Sequence, residues 1–124
     1  MTFKELLQKY KVEPACASGV GAGWVPLLDR AFVEMQAAGW TPDLVGIGQI
    51  KEKFGDLRWY IHPAADCPPD LAGTVQAIVS RAEEESASVC EECGGPGRGC
   101  STGYGWLRTL CEACQALVEA RLLR

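Results

Sequence analysis

The stretch CEECGGPGRGCSTGYGWLRTLCEAC, residues 90–114, contains two Cys-x-x-Cys pairs with 17 residues between them. This spacing lies within the range typical of structural zinc sites. A Cys-x-x-Cys turn can direct two sulfurs at one ion, and a glycine after the second cysteine supplies the positive φ that such a turn commonly needs. The pattern predicts a Zn²⁺ ion bound by Cys90, Cys93, Cys111 and Cys114.

The segments around the two pairs indicate how the site is built. Residues 104–110 predict a glycine-rich hairpin, and apolar residues recur at helical spacing after Cys111. A cysteine turn, a hairpin and a helix with the last two ligands resemble a treble-clef zinc finger; a zinc ribbon is the second choice. Because four thiolates close a tetrahedron and leave no position for water or substrate, the predicted site is structural rather than catalytic.

Other roles for the cysteines remain open. Cys100 lies between the pairs and either replaces a ligand or is a loop thiol. A thioredoxin-like pair needs a strand before its first cysteine, whereas Cys90 follows a predicted helix. An iron–sulfur cluster also uses four thiolates, although this spacing is less typical of one. Cys16 and Cys67 have no neighbouring cysteine and are expected to be buried or idle thiols.

The preceding part of the chain predicts an α+β core. Apolar residues at helical spacing predict three helices, over residues 3–11, 24–38 and 69–88. Alternating side chains on both sides of Phe54-Gly55-Asp56 predict a hairpin over residues 44–62. We expect the core (1–89) and the zinc module (90–124) to pack as one domain.

Three glycines, Gly19, Gly21 and Gly23, precede the second predicted helix. A GxGxG run occurs in phosphate-binding loops, but no strand is predicted before it and the rest of that fingerprint is missing. We therefore interpret the run as a flexible loop that leads into the helix.

Composition limits the class of protein. The chain has 124 residues, of which 48% are hydrophobic, so a folded domain is expected rather than disorder. It contains neither an apolar run of about 18 residues nor a signal-peptide pattern at its start. These features predict a cytoplasmic protein without a membrane partner, and in that compartment paired cysteines favour metal binding over disulfides.

The charge distribution bears on the partners. The net charge is −4, and residues 66–89 hold one arginine against five acidic residues. Duplex binding depends on Lys and Arg that neutralise phosphates, so this balance disfavours nucleic acid. A nucleic-acid-binding regulator remains the alternative, with a basic set of Lys51, Lys53, Arg58, Arg98 and Arg108.

The predicted first hairpin also carries residue types that dominate protein-binding surfaces. Aromatic and basic side chains lie together there, and Trp, Tyr and Arg are the residues enriched in binding hot spots. The candidate binding residues are Lys51, Lys53, Arg58, Trp59 and Tyr60. Cross-strand packing is the alternative explanation for this set.

An enzyme is the weakest of the alternatives. His62 is the only histidine, and the spacing of the chain supports no nucleophile or orienting partner beside it. An activity based on His62 or on a cysteine therefore has no motif in its favour.

Three segments together suggest a family. QIKEKFGDLRWYI (49–61), AEEESASVCEECGGPG (82–97) and GWLRTLCEAC (105–114) resemble small uncharacterised proteins of phage, prophage and bacterial genomes. Members of that family often carry a histidine near the last ligand position, where this chain has Cys114, which favours four cysteine ligands. The resemblance implies a mobile-element origin and supplies no function.

Taken together, these features predict a zinc-stabilised, non-enzymatic protein that binds another protein. The resemblance to phage proteins implies a specific version, an inhibitor of a bacterial host complex, such as an anti-CRISPR protein that blocks a defence system. A compact, negatively charged chain would suit occupation of a nucleic-acid-binding surface on such a target.

Overall fold

This computed structural model describes residues 1–13 and 19–122. Its main elements are four α-helices and two antiparallel hairpins. The helices are α1 (Phe3–Lys9), α2 (Val25–Ala37), α3 (Pro69–Ser86) and α4 (Glu112–Leu122). The strands are β1 (Val45–Lys53), β2 (Asp56–Pro63), β3 (Arg98–Thr102) and β4 (Trp106–Leu110). The α+β class predicted from the sequence is confirmed.

One hydrophobic core joins the first three helices to the β1–β2 hairpin. Trp24 and Phe32 are fully buried, and the ring of Phe32 packs against Tyr10, Trp40 and Trp59. The chain leaves α2 through Gly39, whose φ of +100° is the left-handed conformation that commonly ends a helix. No helix among the described residues combines the length and the apolar character needed to cross a membrane.

The β1–β2 hairpin contains a bulge that the alternating pattern did not predict. The pairing register shifts between Ile47 and Gln49. As a result Ile50 is fully buried, whereas Gln49, which the simple alternation places on the same face as Ile47, is exposed. A bulge of this kind adds one residue to one strand and reverses the facing of the residues after it.

The turn of this hairpin places a bulky residue in an unfavourable backbone conformation. Phe54 and Gly55 have φ values of +54° and +85°, the signs of a type I′ turn, in which Asn-Gly is preferred. The Phe54 side chain is 68% exposed, so little packing compensates for the strain. We expect Phe54→Asn to stabilise the protein by about 0.5–1 kcal/mol, measured by urea denaturation. Destabilisation would show that the ring makes a contact that outweighs the strain.

The tip of the β1–β2 hairpin docks on the second hairpin. The hydroxyl of Thr109 donates a buried hydrogen bond to the carbonyl of Gly55 at 2.8 Å. A Cβ on Gly55 would lie 3.2 Å from the backbone nitrogen of Arg108, so the absence of a side chain permits this approach. The cysteine-rich region is thereby fixed against the core.

Candidate metal centre

The four predicted ligands converge. The sulfur atoms of Cys90, Cys93, Cys111 and Cys114 all lie within 4.8 Å of one another. The sulfurs of Cys93 and Cys111 are 3.8 Å apart. Four sulfurs at about 2.3 Å from one tetrahedral zinc ion would be separated by about 3.8 Å. The cluster therefore has the dimensions needed to hold a single metal ion.

The first pair is supplied by a tight turn after α3. The backbone N–H of Gly94 donates to the carbonyl of Cys90 at 2.9 Å, and the N–H of Cys90 donates to the carbonyl of Gly95 at 2.7 Å. Gly94 has a φ of +82°, as expected for the glycine after the second cysteine. We call residues 90–95 the cysteine turn.

The second pair lies where β4 passes into α4. Cys111 directly precedes the helix and Cys114 lies in its first turn. The backbone N–H of Cys114 points to the Cys111 sulfur at 3.3 Å, and the N-terminal end of a helix favours negative charge on such sulfurs. The order of turn, hairpin and helix is the one predicted from the sequence, and the cysteine cluster is consistent with a zinc-ribbon-like module.

The thiols influence one another's ionisation. Burial raises the pKa of Cys90, but backbone hydrogen bonds from Cys111, Cys93 and Glu92 outweigh it and lower the value to about 6. The hydrogen bond with Cys111, with burial, raises the pKa of Cys114 to about 12. Four sulfurs this close resist full ionisation, and a bound cation supplies the positive charge that would allow it.

Cys100 lies beside the cluster but outside it. Its partly buried side chain packs with the apolar residues Leu110 and Val118 behind the cluster. The sulfurs that lie within 4.8 Å of one another do not include that of Cys100. Cys67 packs against the main core, and Cys16 falls outside the described residues.

A buried glutamate in the cysteine turn links it to the rest of the chain, and sequence reasoning missed it. Glu91 is only 4% exposed. One carboxylate oxygen accepts from the N–H of Gly21 at 2.8 Å and the other from Arg108 at 3.1 Å. Burial raises the pKa of Glu91 above its usual value. The hydrogen bond from Gly21 and the charge of Arg108 lower the pKa but offset this rise only in part.

The glycine run leads into α2, as predicted, but Gly21 and Gly23 are held in place by hydrogen bonds to Glu91. The N–H of Gly23 donates to the carbonyl of Glu91 at 2.7 Å, and the indole N–H of Trp24 donates to the carbonyl of Val89 at 2.8 Å. A Cβ on Gly23 would lie 2.2 Å from the carbonyl oxygen of Cys90. Gly21 and Gly23 fit tightly against the cysteine turn and direct their N–H groups to Glu91 rather than to a phosphate, whereas Gly19 has open space around it.

The candidate binding residues of the first hairpin separate into two groups. Trp59 is 3% exposed and packs on Phe32, so its ring is not available to a partner, and its place in the proposed surface is wrong. Lys51, Arg58 and Tyr60 lie on the opposite face of the hairpin, where Lys51 pairs with Arg58 across the strands. Lys53, next to the turn, is exposed.

Several members of the basic set assigned to nucleic acid are engaged by groups of the chain itself. Arg98 donates to the carbonyl of Leu110 at 2.6 Å, and Arg108 is engaged by Glu91 and Glu92. Arg98 and Arg108 are thus occupied by internal contacts beside the cluster, and Arg58 lies 3.5 Å from the carboxylate of Asp56.

His62 lies on the exposed face of β2, with its ring directly over Gly48. A Cβ on Gly48 would lie 2.3 Å from the His62 Nε2 atom, so the absence of a side chain at Gly48 leaves room for the ring.

No protein-family model matches the sequence, and comparisons with curated proteins and with solved structures give no significant match. The resemblance to phage and prophage proteins therefore stays an expectation.

Proposed function

We propose that this chain is a zinc-stabilised protein that acts by binding another protein and catalyses no reaction. The observation that carries the proposal is the cluster of four sulfurs within 4.8 Å of one another. An all-sulfur, four-coordinate set suits Zn²⁺, and such a closed set leaves no position on the metal for substrate. The ion would then stabilise a scaffold.

The cluster is placed to stabilise the surface that would bind the partner. The cysteine turn holds Gly21 and Gly23, and the hairpin that follows it holds the turn at Gly55 through Thr109. The first contact fixes the segment that leads into α2, which packs behind the hairpin, and the second fixes the turn of the β1–β2 hairpin. A metal at the cluster would therefore support the geometry of that hairpin.

The outward face of the β1–β2 hairpin is the proposed binding surface. It presents Lys51 beside Arg58 and Gln49 beside Tyr60, and the Tyr60 side chain is 48% exposed. Arg and Tyr are enriched among residues that carry binding energy, and the Lys and Arg charges suit an acidic partner surface. The phage resemblance makes a complex of the bacterial host, such as a defence system, the specific candidate.

The proposal is tested in two steps. Elemental analysis of the purified protein is expected to give about one zinc ion per chain. Affinity capture from a bacterial lysate, followed by mass spectrometry, then identifies the partner. The affinity of the partner for the wild type, Tyr60→Ala and Arg58→Ala is measured by calorimetry. Each variant is expected to bind at least about tenfold more weakly, since loss of a hot-spot residue costs about 1–2 kcal/mol or more.

Val33→Ala is the matched control, because Val33 is 52% exposed on α2 and does not belong to the hairpin. It should bind the partner as the wild type does. Unchanged affinity in both hairpin variants would overturn the assigned surface. A salt-dependent mobility shift with DNA or RNA would instead favour the nucleic-acid alternative.

A further inference from the structure

A cavity of about 480 Å³ opens between the β1–β2 hairpin and β4. It is lined by two residues that precede α2, by one aromatic ring and by three charged side chains. These residues are Gly19, Val20, Trp106, Glu52, Glu91 and Arg108. The volume falls within the range of small-ligand sites, about 300–1,000 Å³, and accommodates a long side chain. This cavity lies beside the cysteine turn and adjoins the β1 edge, where Gly19 forms a backbone bridge to Lys51.

The aromatic wall of the cavity is unusual among the tryptophans of this chain. Trp24, Trp40 and Trp59 are at most 4% exposed, whereas Trp106 is 65% exposed. An indole face attracts cations more strongly than the other aromatic side chains do. A large indole held at the rim of a cavity is therefore suited to receive a positively charged group.

The charged lining also favours a cation. Two carboxylates and one guanidinium give the cavity a formal charge of −1. The Arg108 charge is already engaged by Glu91 at 3.1 Å and Glu92 at 3.4 Å. Glu52 accepts from the N–H of Gly55 through Oε1 at 3.1 Å, and this bond leaves its second oxygen for a ligand.

We propose that this cavity binds an alkylammonium group, the side chain of a lysine on a partner protein. The ammonium would lie between the Trp106 ring and the Glu52 carboxylate, and the four-carbon stem would pack on the indole. The lysine would be an anchor of the partner, so this assignment rests on the proposed protein-binding function. The pocket itself can be tested without the partner.

The probe is Nα-acetyl-lysine N-methylamide, and the matched neutral probe is the norleucine derivative, which keeps the stem and lacks the ammonium. Because Trp106 is the exposed indole of the four, acrylamide quenching of tryptophan fluorescence reports on this ring. The lysine probe is expected to protect the ring saturably, and the norleucine probe is not. Glu52→Gln, which keeps an oxygen for Gly55, should weaken binding about tenfold.

Asp56→Asn is the matched control, because the Asp56 carboxylate is exposed and does not line the cavity. This variant should bind the probe as the wild type does. Equal protection by both probes, or equal affinity in Glu52→Gln, would overturn the site. Tetramethylammonium that binds at least as tightly as the lysine probe would overturn the choice of lysine. Failure to capture a partner protein would bear on the proposed function and leave a positive probe result standing.

Discussion

Removal of the metal with a chelator is expected to unfold the cysteine-rich region and to loosen the packing around Trp24, which is distant in sequence. Structural zinc in small finger domains contributes about 10–16 kcal/mol of apparent binding free energy at pH 7, whereas a whole domain is stable by only about 5–15 kcal/mol. Among the described residues, the buried members of the second hydrophobic cluster are Cys90, Leu110 and Val118, a core too small to replace the ion.

The effect should reach the first core because the cysteine turn is built into it. Val89 accepts the indole N–H of Trp24, and Glu91 accepts the N–H groups of Gly21 and Gly23. When the turn loses its ion, these acceptors lose their fixed positions. Trp24 is fully buried and should therefore show a red-shifted emission on chelation.

The measurement is thermal unfolding followed by circular dichroism and tryptophan fluorescence, with and without EDTA, together with zinc content. Cys114→Ser should lose zinc and unfold at a lower temperature, whereas Cys100→Ser should keep zinc, since its sulfur lies outside the cluster. A fully folded, metal-free protein, or native disulfides between the paired cysteines, would contradict the zinc assignment.

The features that could be predicted from the sequence are those with a local signal. The cysteine spacing identified the four sulfurs that the structure brings together, and apolar spacing predicted a helix over residues 24–38, where the structure has α2. The alternation of Leu57 and Trp59 with polar neighbours already placed Trp59 on the inner face of β2. Including Trp59 in a binding surface gave residue type more weight than this periodicity.

The features that could not be predicted depend on residues far apart in the chain. The N–H of Gly21 donates to the carboxylate of Glu91, which is 70 positions away. No local sequence pattern at either residue indicates this contact. The glycines looked flexible because a missing side chain permits both free rotation and close approach, and sequence alone does not distinguish the two. The glycine at position 48 is similarly matched to the ring of His62, which lies on the partner strand.

Gly23→Ala is expected to destabilise the protein by more than about 3 kcal/mol, because overpacking against rigid backbone cannot be relieved by a change of side-chain rotamer. The added Cβ would lie 2.2 Å from the carbonyl oxygen of Cys90, 2.6 Å from that of Glu91 and 2.6 Å from the N–H nitrogen of Gly94. All three atoms belong to the cysteine turn, so either the glycine loop or the metal ligands must move.

Gly73→Ala is the matched control. Gly73 lies in α3 with open space around it, so a Cβ there meets no atom within 4 Å. This variant should be more stable by about 1 kcal/mol, the difference in helix propensity between glycine and alanine. Urea denaturation of both variants, with a competition measurement of zinc affinity, tests the contrast. If Gly23→Ala also weakens zinc binding, the glycine loop supports the ligand geometry; equal stability of the two variants would show that the close contact between loop and cysteine turn does not exist in solution.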